Sequence, residues 1–72
     1  MTYNIRAERS RLGMTQTQLA KRLNVDPSSV VRWENGGTIT QDTLINMRDI
    51  FGCTIDWLLG LTDERRPVKR KE

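Results

Sequence analysis

One stretch of the chain carries the side chains whose chemistry is easiest to interpret. Four residues stand three and four positions apart, the spacing that places side chains on one side of a helix: Ser28, Val31, Arg32 and Asn35. The hydroxyl and the amide donate and accept hydrogen bonds, and the guanidinium of Arg32 grips paired acceptor atoms with two parallel bonds. This combination indicates recognition of a polar partner through directional hydrogen bonds.

Catalysis has little support from the residue types present. The chain has no histidine and a single cysteine, Cys53, and no paired acids mark an obvious cleft. Nucleophilic and acid–base catalysis need such groups, and the common zinc sites need several histidines or cysteines. We therefore expect neither an enzyme, nor a metal site, nor a cofactor.

Length and charge suit one small domain with a cationic side. The 72 residues allow one core, and the formal net charge is +3. Six cations precede Asp42, after which acids prevail as far as residue 61: Arg6, Arg9, Arg11, Lys21, Arg22 and Arg32. Such an imbalance is typical of a domain that faces nucleic acid, although solvated helices also produce it by chance.

Helix start and stop signals recur along the chain. Four capping residues each follow an apolar residue and precede another one four positions later: Thr15, Asp26, Thr40 and Thr54. Glycines follow the helical patterns at 13, 36, 52 and 60. These signals predict an all-α domain over residues 1–61, with helices near 4–12, 16–23, 27–35, 41–51 and 55–59, and a flexible basic tail over 62–72.

Apolar residues at three- and four-residue steps define the expected core of these helices. They are Ile5, Leu12, Leu19, Ala20, Leu23, Val30, Trp33, Leu44, Met47, Ile50, Phe51, Ile55, Leu58 and Leu59. Between the second and third helices, Asn24 is a residue type that tolerates a positive φ, and Ala20 is small enough for a close crossing. Residues 16–35 therefore indicate a helix-turn-helix, whose second helix enters the DNA major groove.

Three segments, TQTQLA at 15–20, VVRWENG at 30–36 and IDWLLG at 55–60, resemble the Cro/repressor (XRE-like) helix-turn-helix family of phage and bacterial regulators. The resemblance covers the chain from about Ile5 to Leu61. It implies a compact five-helix, lambda-repressor-like domain that binds a partly palindromic double-stranded DNA operator, usually as a homodimer. Such a protein regulates transcription, most often as a repressor.

Base reading is expected from the outward side of the third helix. Arg32 fits guanine O6 and N7 or is merely a solvated charge, and Val31 fits a thymine methyl group or is merely surface-exposed. Ser28 and Ser29 contact a base edge or a phosphate, or only form hydrogen bonds at the helix start with Pro27 in the first turn. Pro27 and Ser28 replace glutamines that read bases in some relatives, so the operator is not transferable from them.

Phosphate contacts are expected at two helix ends. Gln16 matches the phosphate-gripping glutamine of the family, at a helix N-terminus that itself attracts anions. Asn35 and the backbone around Gly36 resemble the second phosphate clamp of the family, and helix capping is the alternative role for these residues. Asp42 stands near a position where certain relatives carry a minor-groove arginine, so we expect no minor-groove contact there.

Two charges fall on inward-facing positions and need partners. Arg9 lies on the stripe of the first helix that includes Ile5, and Glu34 follows the inward-facing Val30 by four residues. The family pattern carries a salt bridge between the same two places. We expect Arg9 and Glu34 to form this structural salt bridge.

Partners beyond DNA are less well defined. Ile55, Trp57 and Leu58 are the candidate dimer surface, or alternatively Trp57 only covers the core. The tail cations add phosphate contacts or aid solubility: Arg65, Arg66, Lys69, Arg70 and Lys71. The rival hypothesis is a protein-interaction module whose partner is a toxin or an anti-repressor. With no apolar run near the roughly 20 residues of a membrane span and no signal peptide, we expect a cytoplasmic protein. The family resemblance implies that it is bacterial or phage-encoded and associated with the nucleoid.

Overall fold

Five helices follow one another along the chain in the computed structural model, which describes residues 3–65. They are α1 (Ile5–Arg11), α2 (Gln16–Leu23), α3 (Pro27–Glu34), α4 (Gln41–Phe51) and α5 (Ile55–Leu58), and no strand is present among the described residues. The expected all-helical fold is confirmed, and each helix ends within one residue of its predicted position.

The four predicted capping residues all accept a hydrogen bond from a backbone N–H in the first turn of their helix. Thr15 forms a full capping box with Gln18: the Thr15 hydroxyl oxygen accepts from the Gln18 N–H at 3.1 Å, and Gln18 Oε1 accepts from the Thr15 N–H at 2.8 Å. Such caps satisfy donors that a helix start otherwise leaves unpaired, which is why short helices begin at these positions.

The turn between α2 and α3 sets the angle of the helix-turn-helix. Asn24 has φ 57° and ψ 47°, and it is the one non-glycine residue of 3–65 with a positive φ. The Val25 N–H bonds to the Ala20 carbonyl at 3.0 Å, and Ala20 itself is 1% exposed. A small buried side chain near the end of α2 and a left-handed residue at the turn therefore let the two short helices pack against each other.

The core collects residues from all five helices and from the turn before α5. Its buried apolar members are Ile5, Leu19, Ala20, Leu23, Val30, Trp33, Met47, Phe51, Cys53 and Leu58. Leu12 was expected among them, and that prediction is wrong because its side chain is 42% exposed. Helix α1 ends at Arg11, so Leu12 no longer follows the inward stripe that the helical spacing predicts.

Two hydrogen bonds hold the start of α1 against the last turn of α5. The Asn4 N–H donates to the Leu58 carbonyl at 2.8 Å, and the Asn4 side-chain amide donates to the Trp57 carbonyl at 2.6 Å. The Trp57 carbonyl also accepts from the Gly60 N–H at 3.1 Å, in the turn that follows α5. Helices α1 and α5 are thus neighbours although they are farthest apart in sequence.

Glu8 is a buried acid that the sequence interpretation missed. It is 2% exposed, and its Oε2 accepts from Trp57 Nε1 at 2.9 Å and from Arg65 Nε at 2.8 Å. Its Oε1 accepts from Arg11 Nη2 and Arg65 Nη2, each at 3.0 Å. Glu8 follows Ile5 by three residues, so the inward stripe of α1 was the signal that pointed to it.

Arg65 belongs to this cluster, which we call the Glu8 cluster and define as Glu8, Arg11, Trp57 and Arg65. The interpretation of Arg65 as a loose, solvated charge is therefore wrong. Arg65 Nη2 also donates to the Phe51 carbonyl at 3.1 Å, beside a shorter bond of 2.8 Å from Arg11 Nη2. The remaining tail cations lie outside the described residues: Arg66, Lys69, Arg70 and Lys71.

The charge of Glu8 is maintained by its donors. Burial alone raises the pKa of Glu8, but the hydrogen bonds from Arg65, Trp57 and Arg11 outweigh this effect and hold the pKa below its ordinary value of 4.5. A carboxyl with a lowered pKa in the folded state stabilises the fold above its unfolded pKa, and this contribution is lost as the pH falls through the folded pKa.

Replacing Glu8 by glutamine tests the cluster. We expect Glu8→Gln to lower the free energy of unfolding at pH 7 by about 2–3 kcal/mol, because two guanidinium groups lose their counter-charge. The difference from the native protein should shrink as the pH falls below 4.5, where the native carboxyl also becomes protonated. Urea unfolding between pH 7 and pH 3 measures this, and a constant difference across that range would contradict the assignment.

Cys53 lies in the same region and should be unreactive in the folded protein. Burial raises the pKa of its thiol from 9.0 to about 11, and the charge of Glu8 acts in the same direction. At pH 8 the thiolate should therefore be about a hundredfold scarcer than in the unfolded chain. Reaction with a chromogenic disulfide should be slower in buffer than in urea by at least that factor. Equal rates would show that the thiol is accessible.

Candidate nucleic-acid interface

Helix α3 has one buried side and one open side. Val30 and Trp33 are 0% and 5% exposed, so they anchor the helix in the core. Ser28, Val31 and Arg32 are all exposed, and Val31 is 41% exposed despite its apolar side chain. Three predicted base-reading side chains are therefore exposed to solvent on this side of the helix.

The first turn of α3 uses part of its polar chemistry internally. Asp26 Oδ1 accepts from the Ser28 N–H at 2.9 Å, and Pro27 occupies the first turn, where its missing N–H leaves nothing unpaired. Hydrogen bonds from the Ser28 side chain and backbone lower the pKa of Asp26 below its ordinary value. The helix-start role considered for Ser28 is therefore present, while Ser29 is only half-exposed.

The expected ion pair between Arg9 and Glu34 is present. Arg9 Nε lies 2.8 Å from Glu34 Oε2, and Arg9 Nη2 donates to Glu34 Oε1 at 3.4 Å. The side chains are 14% and 7% exposed. Arg9 Nη1 also donates to the Met14 carbonyl at 2.9 Å. The pair therefore joins α1 to α3 and to the loop before α2.

Gln16 is the third member of this network. Its Nε2 donates to Glu34 Oε1 at 3.1 Å, which ties the first residue of α2 to the last residue of α3. Capping at this helix start comes from Thr15 and Gln18 instead, so Gln16 does not fill the alternative capping role. An amide nitrogen carries two hydrogens, and the second one remains available to an acceptor outside the protein.

A cleft of about 460 Å³ opens beside this network, between α1, the start of α2 and the end of α3. Arg6, Gln16, Val31 and Asn35 are among the residues that line it. Since Arg9 neutralises Glu34, the exposed Arg6 leaves the cleft with a net cationic character. Arg6 was assigned no site role from the sequence, although it precedes Arg9 by three residues on α1 and so shares its side.

The end of α3 offers fewer free donors than expected. The Gly36 N–H donates to the Trp33 carbonyl at 3.0 Å, and the Asn35 N–H is shared between the carbonyls of Val31 and Arg32 at 3.2 Å each. These two backbone N–H groups are therefore bonded within the protein, and a phosphate contact from the backbone around Gly36 stays a prediction. The exposed side-chain amide of Asn35 is the donor that remains.

The candidate dimer surface on α5 also needs correction. Leu58 is 0% exposed and belongs to the core of its own chain, so it is not available to a second copy. Trp57 is half-buried against the core, and its indole N–H is used by Glu8. The alternative role of Trp57 as a core cover is the one observed. Near α5, Leu61 is 59% exposed, while Ile55 and Leu59 are half-buried like Trp57.

These features define a helix-turn-helix DNA-binding domain: two short helices pack against each other across a tight turn, and the second presents an exposed side next to a cationic cleft. The helix-turn-helix family model matches residues 5–58, so the chain belongs to this family, that of the Cro/XRE-type regulators. It is a DNA-binding transcriptional regulator and not an enzyme. Within residues 3–65, no helix is long and apolar enough to cross a bilayer.

The Arg9–Glu34 ion pair leads to a quantitative prediction for the free energy of unfolding. Arg9→Ala and Glu34→Ala should each lower the free energy of unfolding by about 2–3 kcal/mol, because each leaves a mostly buried charge unpaired. The double variant's loss in free energy of unfolding should be smaller than the sum of the two single losses by at least about 1 kcal/mol. Thermal or urea unfolding measures this difference. Arg6→Ala is the control on the same helix, and its small effect should add to that of Glu34→Ala. Additive losses for the Arg9 pair would refute the coupling.

Proposed function

We propose that this protein is a repressor that binds a partly palindromic operator with α3 in the major groove. The observation that supports this most directly is the exposed row of Ser28, Val31 and Arg32 opposite the buried Val30 and Trp33. The B-DNA major groove admits an α-helix, and base edges there differ in their hydrogen-bond donors, acceptors and methyl groups. A helix with a free polar side suits that groove.

Each exposed side chain of α3 has a chemical role in this proposal. Arg32 donates two parallel hydrogen bonds to guanine O6 and N7, which is the commonest base contact of arginine. Val31 packs against a thymine methyl group, which accounts for an apolar side chain that is 41% exposed. Ser28 contacts a base edge or a phosphate while its N–H caps the helix.

Phosphate groups of the DNA backbone hold α3 at the correct depth. The second amide hydrogen of Gln16, the side-chain amide of Asn35 and the charge of Arg6 border one cleft, and an anionic oxygen suits all three. The N-terminus of α2 adds its partial positive charge at the same place. These contacts position the domain and carry no sequence information.

The proposed repressor acts as a homodimer because one small domain has only limited affinity for DNA. Two copies on one duplex make the second binding event intramolecular, and half-sites one helical turn apart then read as an inverted repeat. Exposed Leu61 and half-buried Ile55 are apolar residues near α5 that a second copy would cover. Occupation of a promoter by such a dimer excludes polymerase, which is the simplest means of repression.

The rival function is binding of another protein, such as a toxin or an anti-repressor. An open groove of about 490 Å³ between the end of α1 and α2 gives this some support, because exposed Leu12 adjoins Lys21 and Arg22 there. An apolar floor with a cationic rim suits an acidic peptide. Dependence on salt and on DNA sequence separates the two functions.

Selection from a random duplex library tests the proposed function. We expect enriched inverted half-sites about one helical turn apart, and affinity that falls at least about tenfold between roughly 50 and 200 mM salt, because counterions are released from the phosphates. Arg32→Ala should flatten the preference at one base position per half-site. Gln16→Ala should weaken binding to all sequences by a similar factor.

Arg22→Ala is the matched control for Arg32→Ala, since it removes the same charge from an exposed helical position outside the cleft and outside α3. Its base preference should equal that of the native protein. Absence of binding to every duplex at low salt, in protein shown to be folded by circular dichroism, would overturn the proposed function.

A further inference from the structure

The loop after α3 folds back onto the residue proposed to read a base. The Gly37 N–H donates to the Arg32 carbonyl at 2.9 Å, so the loop backbone lies against the last turn of the helix. A Cβ atom placed on Gly37 would lie 2.7 Å from Arg32 Cγ and 2.9 Å from the Arg32 carbonyl oxygen. Contacts this short do not occur between real atoms of these kinds, so any other residue at 37 must displace its neighbour.

The backbone conformation does not account for a glycine at this position. Four glycines of the described chain have a positive φ, where side chains are disfavoured: Gly13, Gly36, Gly52 and Gly60. Gly37 is not among them, so the sign of its φ does not require glycine. The requirement for glycine arises from the space that Arg32 occupies, both with its side-chain Cγ and with its carbonyl group.

We propose that Gly37 is a positioning residue for Arg32. Its missing side chain lets the loop pack against the first carbons of the Arg32 stem, and the loop then acts as a wall that fixes the first side-chain torsion of Arg32. A helix leaves most long side chains two favourable values of this torsion. The wall selects one of them and so sets the direction in which the guanidinium leaves α3.

The functional consequence rests on the proposed role of Arg32 in base reading. Burying or ordering an arginine side chain costs more conformational entropy than ordering most others. A stem that is already restricted in the free protein loses less freedom on binding, and its two parallel hydrogen bonds meet only acceptors at the correct place. Gly37 therefore contributes to sequence discrimination without touching DNA.

Gly37→Ala is the variant that tests the proposal, and Gly36→Ala is its matched control. Gly36 has φ +93°, so alanine strains the same loop, but a Cβ there meets nothing within 4 Å. Three-bond coupling constants from NMR report the first torsion of Arg32 in the free protein. We expect one rotamer in the native protein and in Gly36→Ala, and a different or averaged rotamer in Gly37→Ala.

DNA binding provides the second measurement. Arg32→Ala identifies the base position that Arg32 reads. At that position Gly37→Ala should lower the base preference by roughly tenfold, which is within the range for one bidentate contact. Gly36→Ala should weaken binding to all sequences alike. In an Arg32→Ala background, where only the contact with the carbonyl group remains, Gly37→Ala should not change the base preferences further.

The outcomes distinguish the two proposals. An unchanged Arg32 torsion and unchanged base preference in folded Gly37→Ala would overturn the role of Gly37. Averaging of the first Arg32 torsion in the native protein would also overturn the role of Gly37, even if Gly37→Ala failed to fold. If Arg32→Ala kept its base preference while the Arg32 torsion responded to Gly37→Ala, the base-reading function would fail and the packing role of Gly37 would stand.

Discussion

The carboxylate of Glu34 determines how three helices sit relative to one another. Its two oxygens accept hydrogen bonds from Arg9 of α1 and Gln16 of α2, while its own backbone forms the last residue of α3. A side chain that is only 7% exposed keeps its charge at low energetic cost only when such donors surround it. The tilt of α3 therefore depends on polar contacts behind the recognition surface, and the cationic cleft is a by-product of the same network.

Helix α1 connects that network to the rest of the domain through two consecutive residues. Arg9 points toward α3, whereas Glu8 points toward α5 and Arg65, because successive residues on a helix diverge by about 100°. Both of these side chains are bonded to groups of opposite charge, and Glu8 also to an indole N–H. A seven-residue helix thus holds the helix-turn-helix and the C-terminal part of the described chain in one arrangement.

Local signals made much of this fold predictable, and distant contacts limited the rest. Caps such as Thr15 act within one helical turn, so the helix starts could be located from short motifs. The contact between Glu8 and Arg65 spans 57 residues and leaves no local trace around Arg65. Leu12 was misassigned because apolar spacing does not reveal where α1 ends. The base-reading roles depend on a partner, so the fold shows only that their side chains are exposed.

The bonds from Asn4 to the last turn of α5 bring the start of α1 beside the end of α5. These contacts do not depend on the order in which the chain visits the helices. A circularly permuted chain, with residues 3 and 65 joined by a linker and new termini opened in a surface turn, would preserve the same buried interactions. Its helices would assemble in a different temporal order during synthesis, yet reach the same final architecture.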